Sequence, residues 1–269
     1  MYWLPFRGAF ANPIFRGGVG EFAHQSVRWT HGLNYLVVLS IVLFITWPKE
    51  NFLSLRDLPF TYNALGGSIT IILSYLSFSY GSRKSLGSRY LSLRDWLGLV
   101  PLKAGAFLRG YVAVGLLELA FFWGLSMPLL VLAGGVSGES LGHLGAGFVV
   151  IVVCTSCYRV IGTALLTLFE RDEFILYIIV RVLYVFFILV SGFIMPLCNP
   201  VLAFTDASIW PQRLGTWQLG GLALHGWEAT VALHLLLSGG FFIIAIIRGR
   251  WVQRRAIGLV TDERSSERV

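Results

Sequence analysis

The chain reads as an all-α, polytopic membrane protein with six transmembrane helices and both termini on the cytoplasmic side. Three observations predict that class. Of its 269 residues, 56% are hydrophobic and only 13% are charged, whereas a soluble domain carries about a quarter charged residues. Apolar runs of membrane-spanning character recur along the chain. The positive charges gather at alternate connections between those runs, as a fixed orientation in a membrane requires. Residues 1–269 therefore form one transmembrane domain, with no second globular domain.

The runs cover residues 33–47, 64–80, 107–132, 144–169, 174–195 and 227–247. A span needs about 20 residues. The last four runs meet that length, and the first two borrow flanking residues such as Trp29 or Thr61. Ahead of the first span, residues 17–33 mix Phe22, Val27 and Trp29 with Glu21, His24, Gln25 and Arg28. That pattern fits a helix lying in the cytoplasmic interface. An irregular tail is the alternative there, because Gly17, Gly18 and Gly20 crowd its start.

Orientation follows from the basic residues. With cytoplasmic termini, the inner side collects Arg7, Arg16 and Arg28, then Arg83 to Arg109, Arg171, and the arginines from Arg248 onward. The outer side holds Lys49, Arg56 and Arg213 alone. The net charge of +7 is thereby placed at headgroup and cytosol level. No soluble segment carries a basic stripe interleaved with aromatics, so nucleic acid is not an expected partner.

Cysteine chemistry is not expected either. Cys154, Cys157 and Cys198 are an odd set without secreted-domain spacing. The C-x-x-C of Cys154 and Cys157 lies inside an apolar run and reads as buried helical thiols, not as a metal or redox site. No metal site is expected. Residues 1–32 contain no continuous apolar stretch, unlike a cleavable signal peptide. The tail from Thr261 is polar and reads as disordered.

Two connections differ from ordinary loops. Between spans five and six, residues 196–226 are apolar and hold Trp210 and Trp217. Tryptophan favours the headgroup level, so short re-entrant helices in the outer leaflet are expected over this segment, which also holds Pro196 and Pro200. Between spans two and three, Ser92 can cap a short helix, with Asp95 three residues on closing a capping box. Leu93, Trp96 and Leu97 share one face of that helix, and Pro101 ends it. Such a helix is shaped to dock in a partner's groove; a helix lying on headgroups is the alternative.

Here the sequence resembles the permeases of type-2 ATP-binding-cassette (ABC) exporters. Pro101-Leu102, then Phe107-Leu108 and Gly110 at the mouth of span three, is similar to that family's signature. Asp95 and Leu97 stand where the family has an acidic residue and a leucine. Ser191-Gly192, Pro196 and Pro200 are similar to the run that closes its fifth span. Tyr90 and Ser92 stand where the family usually has Glu and Gly. The resemblance covers the whole chain in outline. It implies a permease half in a bacterial cytoplasmic (inner) membrane. A second permease copy or a paralogue would complete the pathway. Separate ATPase subunits would carry ATP and Mg and bind the coupling helix through Ser92, Leu93, Asp95, Trp96, Leu97 and Pro101. The chain itself would not be an enzyme and would hold no cofactor. Consistent with that, no G-x-x-x-x-G-K-[ST] phosphate loop is present in the sequence.

Ionisable residues inside spans are costly and mark function by default. Glu118 lies about eleven residues into span three, or roughly 16 Å deep, and Arg159 about ten residues into span four, or roughly 15 Å. Their similar depths predict an ion pair, either a tie between helices or part of substrate binding and gating. Arg181 is shallower and can snorkel to the inner interface. His225 and His234 are single histidines read as hydrogen-bonded side chains. The spans hold no aspartate, which argues against an intramembrane aspartyl protease. A secondary transporter or channel subunit using Glu118, or a membrane scaffold or assembly subunit, are the rival functions. A broken-helix, inverted-repeat pattern would favour the former, and none is visible.

Overall fold

The computed structural model describes residues 12–24, 26–47, 60–82, 97, 102–169, 173–208, 214–219 and 221–266. Six of its helices are long and apolar enough to cross a membrane. In chain order they are helix one, Ser26–Thr46; helix two, Phe60–Gly81; helix three, Ala104–Ser137; and helix four, Leu141–Leu168. Helix five runs from Glu173–Val185 through a π-helical turn, Phe186–Val190, into Ser191–Ile194, and helix six is Gly226–Ser266. In lipid only closed backbone hydrogen bonding is tolerated, so these runs become helices. The two short runs gain length at their starts, at Ser26 and Phe60.

A tight reversal joins helices three and four. Gly138 takes φ 74°, a left-handed conformation that glycine adopts without strain. Its N–H reaches the Gly135 carbonyl, and Glu139 N donates to Gly134 O at 2.9 Å. Ser140 then caps helix four by accepting from His143 N.

Helix four is the hub. It contacts helices two, three and six and a short helix, Pro200–Asp206, and 78% of its apolar window is buried, against 22% for helix one and 28% for helix five. Helices two and four cross at Gly81 and Gly162. A Cβ on Gly81 would lie 2.6 Å from Arg159 O, and one on Gly162 2.8 Å from Phe78 O, so the backbones meet as small residues allow.

The helix ahead of the first span is Pro13–His24, and it lies along helix three. Asn12 caps it and donates to Ala106 O at 2.6 Å, Gly18 fits over Val114, and Phe22 packs edge-on against Phe121 at 5.8 Å.

The connection after helix five is only partly helical. Pro196–Cys198 is a 3-10 turn and Pro200–Asp206 a short helix, but Thr216–Leu219 pairs antiparallel with Leu222–His225. The sequence reading expects short re-entrant helices here and no strands. The hairpin forms because Gly215 (φ 65°) and Gly221 (φ 89°) supply left-handed backbone, and because Trp217 faces Leu224 across the ladder.

Candidate functional site

Glu118 and Arg159 meet between helices three and four. Arg159 Nη2 donates to Glu118 Oε2 at 3.1 Å, with the arginine side chain 4% exposed and the glutamate 17%. The space for the guanidinium comes from Gly115, one turn before Glu118: a Cβ there would overlap Arg159. Tyr111, a further turn back, turns its ring face to the cation at 5.8 Å. Its hydroxyl donates to Tyr80 O at 3.2 Å and lies 3.4 Å from Gly81 O. Arg159 Nε has no acceptor among the described residues. Helices two, three and four thus converge on one pair, and the Gly81–Gly162 crossing lies beside it. The pair links helices three and four.

A second joint links helix four to helix six. His234 is fully buried. Its Nδ1 lies 2.9 Å from Thr230 O, which can only accept, so Nδ1 carries the proton. In the neutral ring Nε2 is left to accept from Tyr158 OH at 3.1 Å. Tyr158 in turn stacks on Phe78 of helix two, with ring centroids 4.6 Å apart. Cys154 and Cys157 on the same helix are free, buried thiols.

Arg181 stands apart from both joints. Its guanidinium lies over the Tyr177 ring at 3.1 Å, and Nη1 donates to Tyr177 O at 3.3 Å. It folds back one turn toward the start of helix five.

Of the residues expected to contact an ATPase, Ser92, Leu93, Asp95, Trp96 and Pro101 lie outside the described residues. Leu97 is within them and is 1% exposed. Gln253, thirteen residues before the end of helix six, bonds to this connection. Its Nε2 donates to Leu102 O at 2.7 Å and to Leu97 O at 3.3 Å, and its Oε1 accepts from Ala104 N at 2.9 Å. The first turn of helix three is therefore capped by another helix's side chain. Behind Gln253, Gly249 lets the Leu108 side chain approach closely. Gln253 escapes sequence reasoning because a lone glutamine among arginines carries no periodic signal.

At the other end of the bundle, Asn199 joins the segments around Pro196 and Pro200. Its Oδ1 accepts from Val201 N and Leu202 N, both at 3.0 Å, capping the short helix that Pro200 opens. Its Nδ2 donates to Ile188 O at 2.9 Å, a carbonyl of the π turn in helix five. The Asn-Pro dipeptide is the signal that would have found it. Asp206 closes the segment by accepting from Trp227 N at 3.0 Å and Leu214 N at 3.3 Å, on the wall of a cavity of about 560 Å³ that His143, His225 and Trp227 also line. Trp217 is half-exposed in the hairpin and donates its Nε1–H to Leu214 O, while Trp210 lies outside the described residues.

No protein-family model matches the chain, and no curated protein is significantly similar to it in sequence.

Proposed function

We propose that the chain is the membrane-spanning permease subunit of an ATP-driven ABC exporter. It would pair with a second permease copy or a paralogue, and its coupling segment would dock on ATPase subunits that bind ATP and Mg. Both termini and the connections after helices two and four would face the cytoplasm of a bacterial cell. A hydrophobic or amphiphilic substrate would move outward by alternating access.

The observation that carries this reading is the Gln253 clamp. One end of the segment whose motifs resemble a coupling helix is bonded to helix six at the point where it becomes helix three. A push on residues 92–99 would therefore reach helices three and six together. Through the Glu118–Arg159 pair it would also reach helix four. The resemblance of Pro101 to Gly110, and of Ser191 to Pro200, to the family's signatures supports the same assignment.

The test is co-purification of the tagged chain in mild detergent, with ATPase activity measured on the complex. Wild type is compared with Asp95→Lys/Trp96→Ala and with Gln253→Ala. An ATPase is expected with wild type and is lost with the first variant. With Gln253→Ala the ATPase stays bound, but its stimulation by substrate-containing lipid extract falls. Absence of any ATPase from wild type in mild detergents, together with proton-driven uptake that Glu118→Gln abolishes, would replace this reading with secondary transport.

A further inference from the structure

Helix six continues well past its apolar stretch, to Ser266. Its core side is set by Ala245, Gly249 and Val252, all buried, and by Gln253. A second face is formed by Ile244, Ile247, Arg248, Trp251 and Arg255, spaced at intervals of three and four so that they line up along the helix. Ile244 is 42% exposed, Ile247 63% and Trp251 36%. The stripe changes character abruptly, from apolar to cationic, within about one turn.

At that change two guanidinium groups sit on one indole. Arg248 lies 3.9 Å and Arg255 3.6 Å from the Trp251 ring centroid. Two like charges gathered on one side chain repel each other, and the indole face compensates only in part. Among the described residues no carboxylate pairs with either arginine, and Arg248 Nε has no acceptor there. Stacking on the ring holds the guanidinium planes and leaves their outer N–H forks for a ligand. An anion with several oxygens would meet both forks at once.

We infer that Ile244, Ile247, Arg248, Trp251 and Arg255 form a binding site for an anionic phospholipid. The phosphodiester sits between the two guanidinium groups and the acyl chains lie along the isoleucines. Position selects a lipid over a soluble phosphate: the cationic pair stands directly beyond the apolar run, and tryptophan prefers the headgroup level. A lipid bound here would press on the helix whose opposite side carries Gln253. The site stands whether or not the exporter reading does.

The full chain, purified in mild detergent, is titrated with phosphatidylglycerol or phosphatidylcholine, and bound lipid is counted by native mass spectrometry. Wild type retains phosphatidylglycerol in preference. Arg248→Gln/Arg255→Gln weakens that binding by roughly 30-fold, from about one kcal/mol per basic residue. Arg250→Gln/Arg254→Gln removes the same charge from another flank and leaves most of the preference. Trp251→Leu keeps both charges, loses the platform and gives an intermediate result. Equal loss in the two arginine pairs would reduce the effect to general electrostatics and overturn the site. So would equal binding of the two lipids by wild type, displacement by millimolar inorganic phosphate, or a preference that appears only for an acidic peptide.

Discussion

Helices four and six contact each other extensively and are both apolar enough to span a membrane. Yet 78% of the apolar window of helix four is buried, against 17% for helix six. Apolar content does not separate them, because lipid and protein interior are alike to a leucine. Their polar residues do. Helix four carries Thr155, Arg159, Thr163 and Thr167, all buried. Three of them close local hydrogen bonds: Thr155 to Ile151 O, Thr163 to Arg159 O and Thr167 to Ala164 O. Helix six keeps its buried polar groups, Thr230 and His234, on the side that meets helix four, and turns Leu235, Leu236, Ile243 and Ile244 outward. A helix in lipid reveals its protein-facing side by where it can bear polar atoms.

The sharpest way to break this contrast is to strip the hub of its charge. Arg159→Leu takes the guanidinium from the partly buried Glu118 and leaves the arginine's buried space unfilled, and should destabilise the fold by about 3 kcal/mol. Thermal unfolding in detergent, followed by a thiol dye, reads this directly, because Cys154 and Cys157 are free and buried. The double change Glu118→Gln/Arg159→Met should recover most of the loss, since the carboxylate charge and the guanidinium are then removed together. A double variant no better than Arg159→Leu would place the loss in the packing of the arginine side chain and not in the ion pair.

The joint between the two helices should cost less. His234→Ala removes the acceptor of the Tyr158 hydroxyl and opens a small cavity, an expected loss of about 1–3 kcal/mol. Tyr158→Phe, which removes the hydroxyl while keeping the Phe78 stack, should be milder. The same melts check both: a Tyr158→Phe loss as large as that of His234→Ala would place the energy in the hydrogen bond, and a negligible one would place it in packing.

At the small end lies the outward face of helix six. Leu236 is 72% exposed, and Leu236→Ala should shift stability by less than about 0.5 kcal/mol. A larger effect would mean that this face meets protein and not lipid.

Much of the architecture is legible in the residues alone. The apolar runs locate the six helices to within a turn or two at most ends. Glu118 and Arg159 stand out because a charge in an apolar run has few inexpensive explanations, and equal depth on consecutive helices marks them as neighbours. Gly115, Tyr111 and Gln253 are not legible in this way. Each matters through what it touches across the bundle, and none departs from the composition of its own helix. The Thr216–His225 hairpin is missed because the reading weighed the tryptophans and apolar content of the segment and passed over the Gly220-Gly221 pair, a two-residue hairpin signal between its runs.

Hydropathy is a property of each residue's own transfer between water and lipid. The sequence by itself therefore determined the number of the spanning helices and most of their approximate ends, but not the far end of helix six, which continues through residues 261–266 that polar composition marks as disordered. Which helix lies at the centre, and which glycine makes room for which side chain, depend on pairwise packing between segments far apart in the chain. All six helices are apolar enough to face lipid. Only the tertiary structure, through the backbone contact at Gly81 and Gly162 and the pair at Glu118 and Arg159, decided that helix four would not.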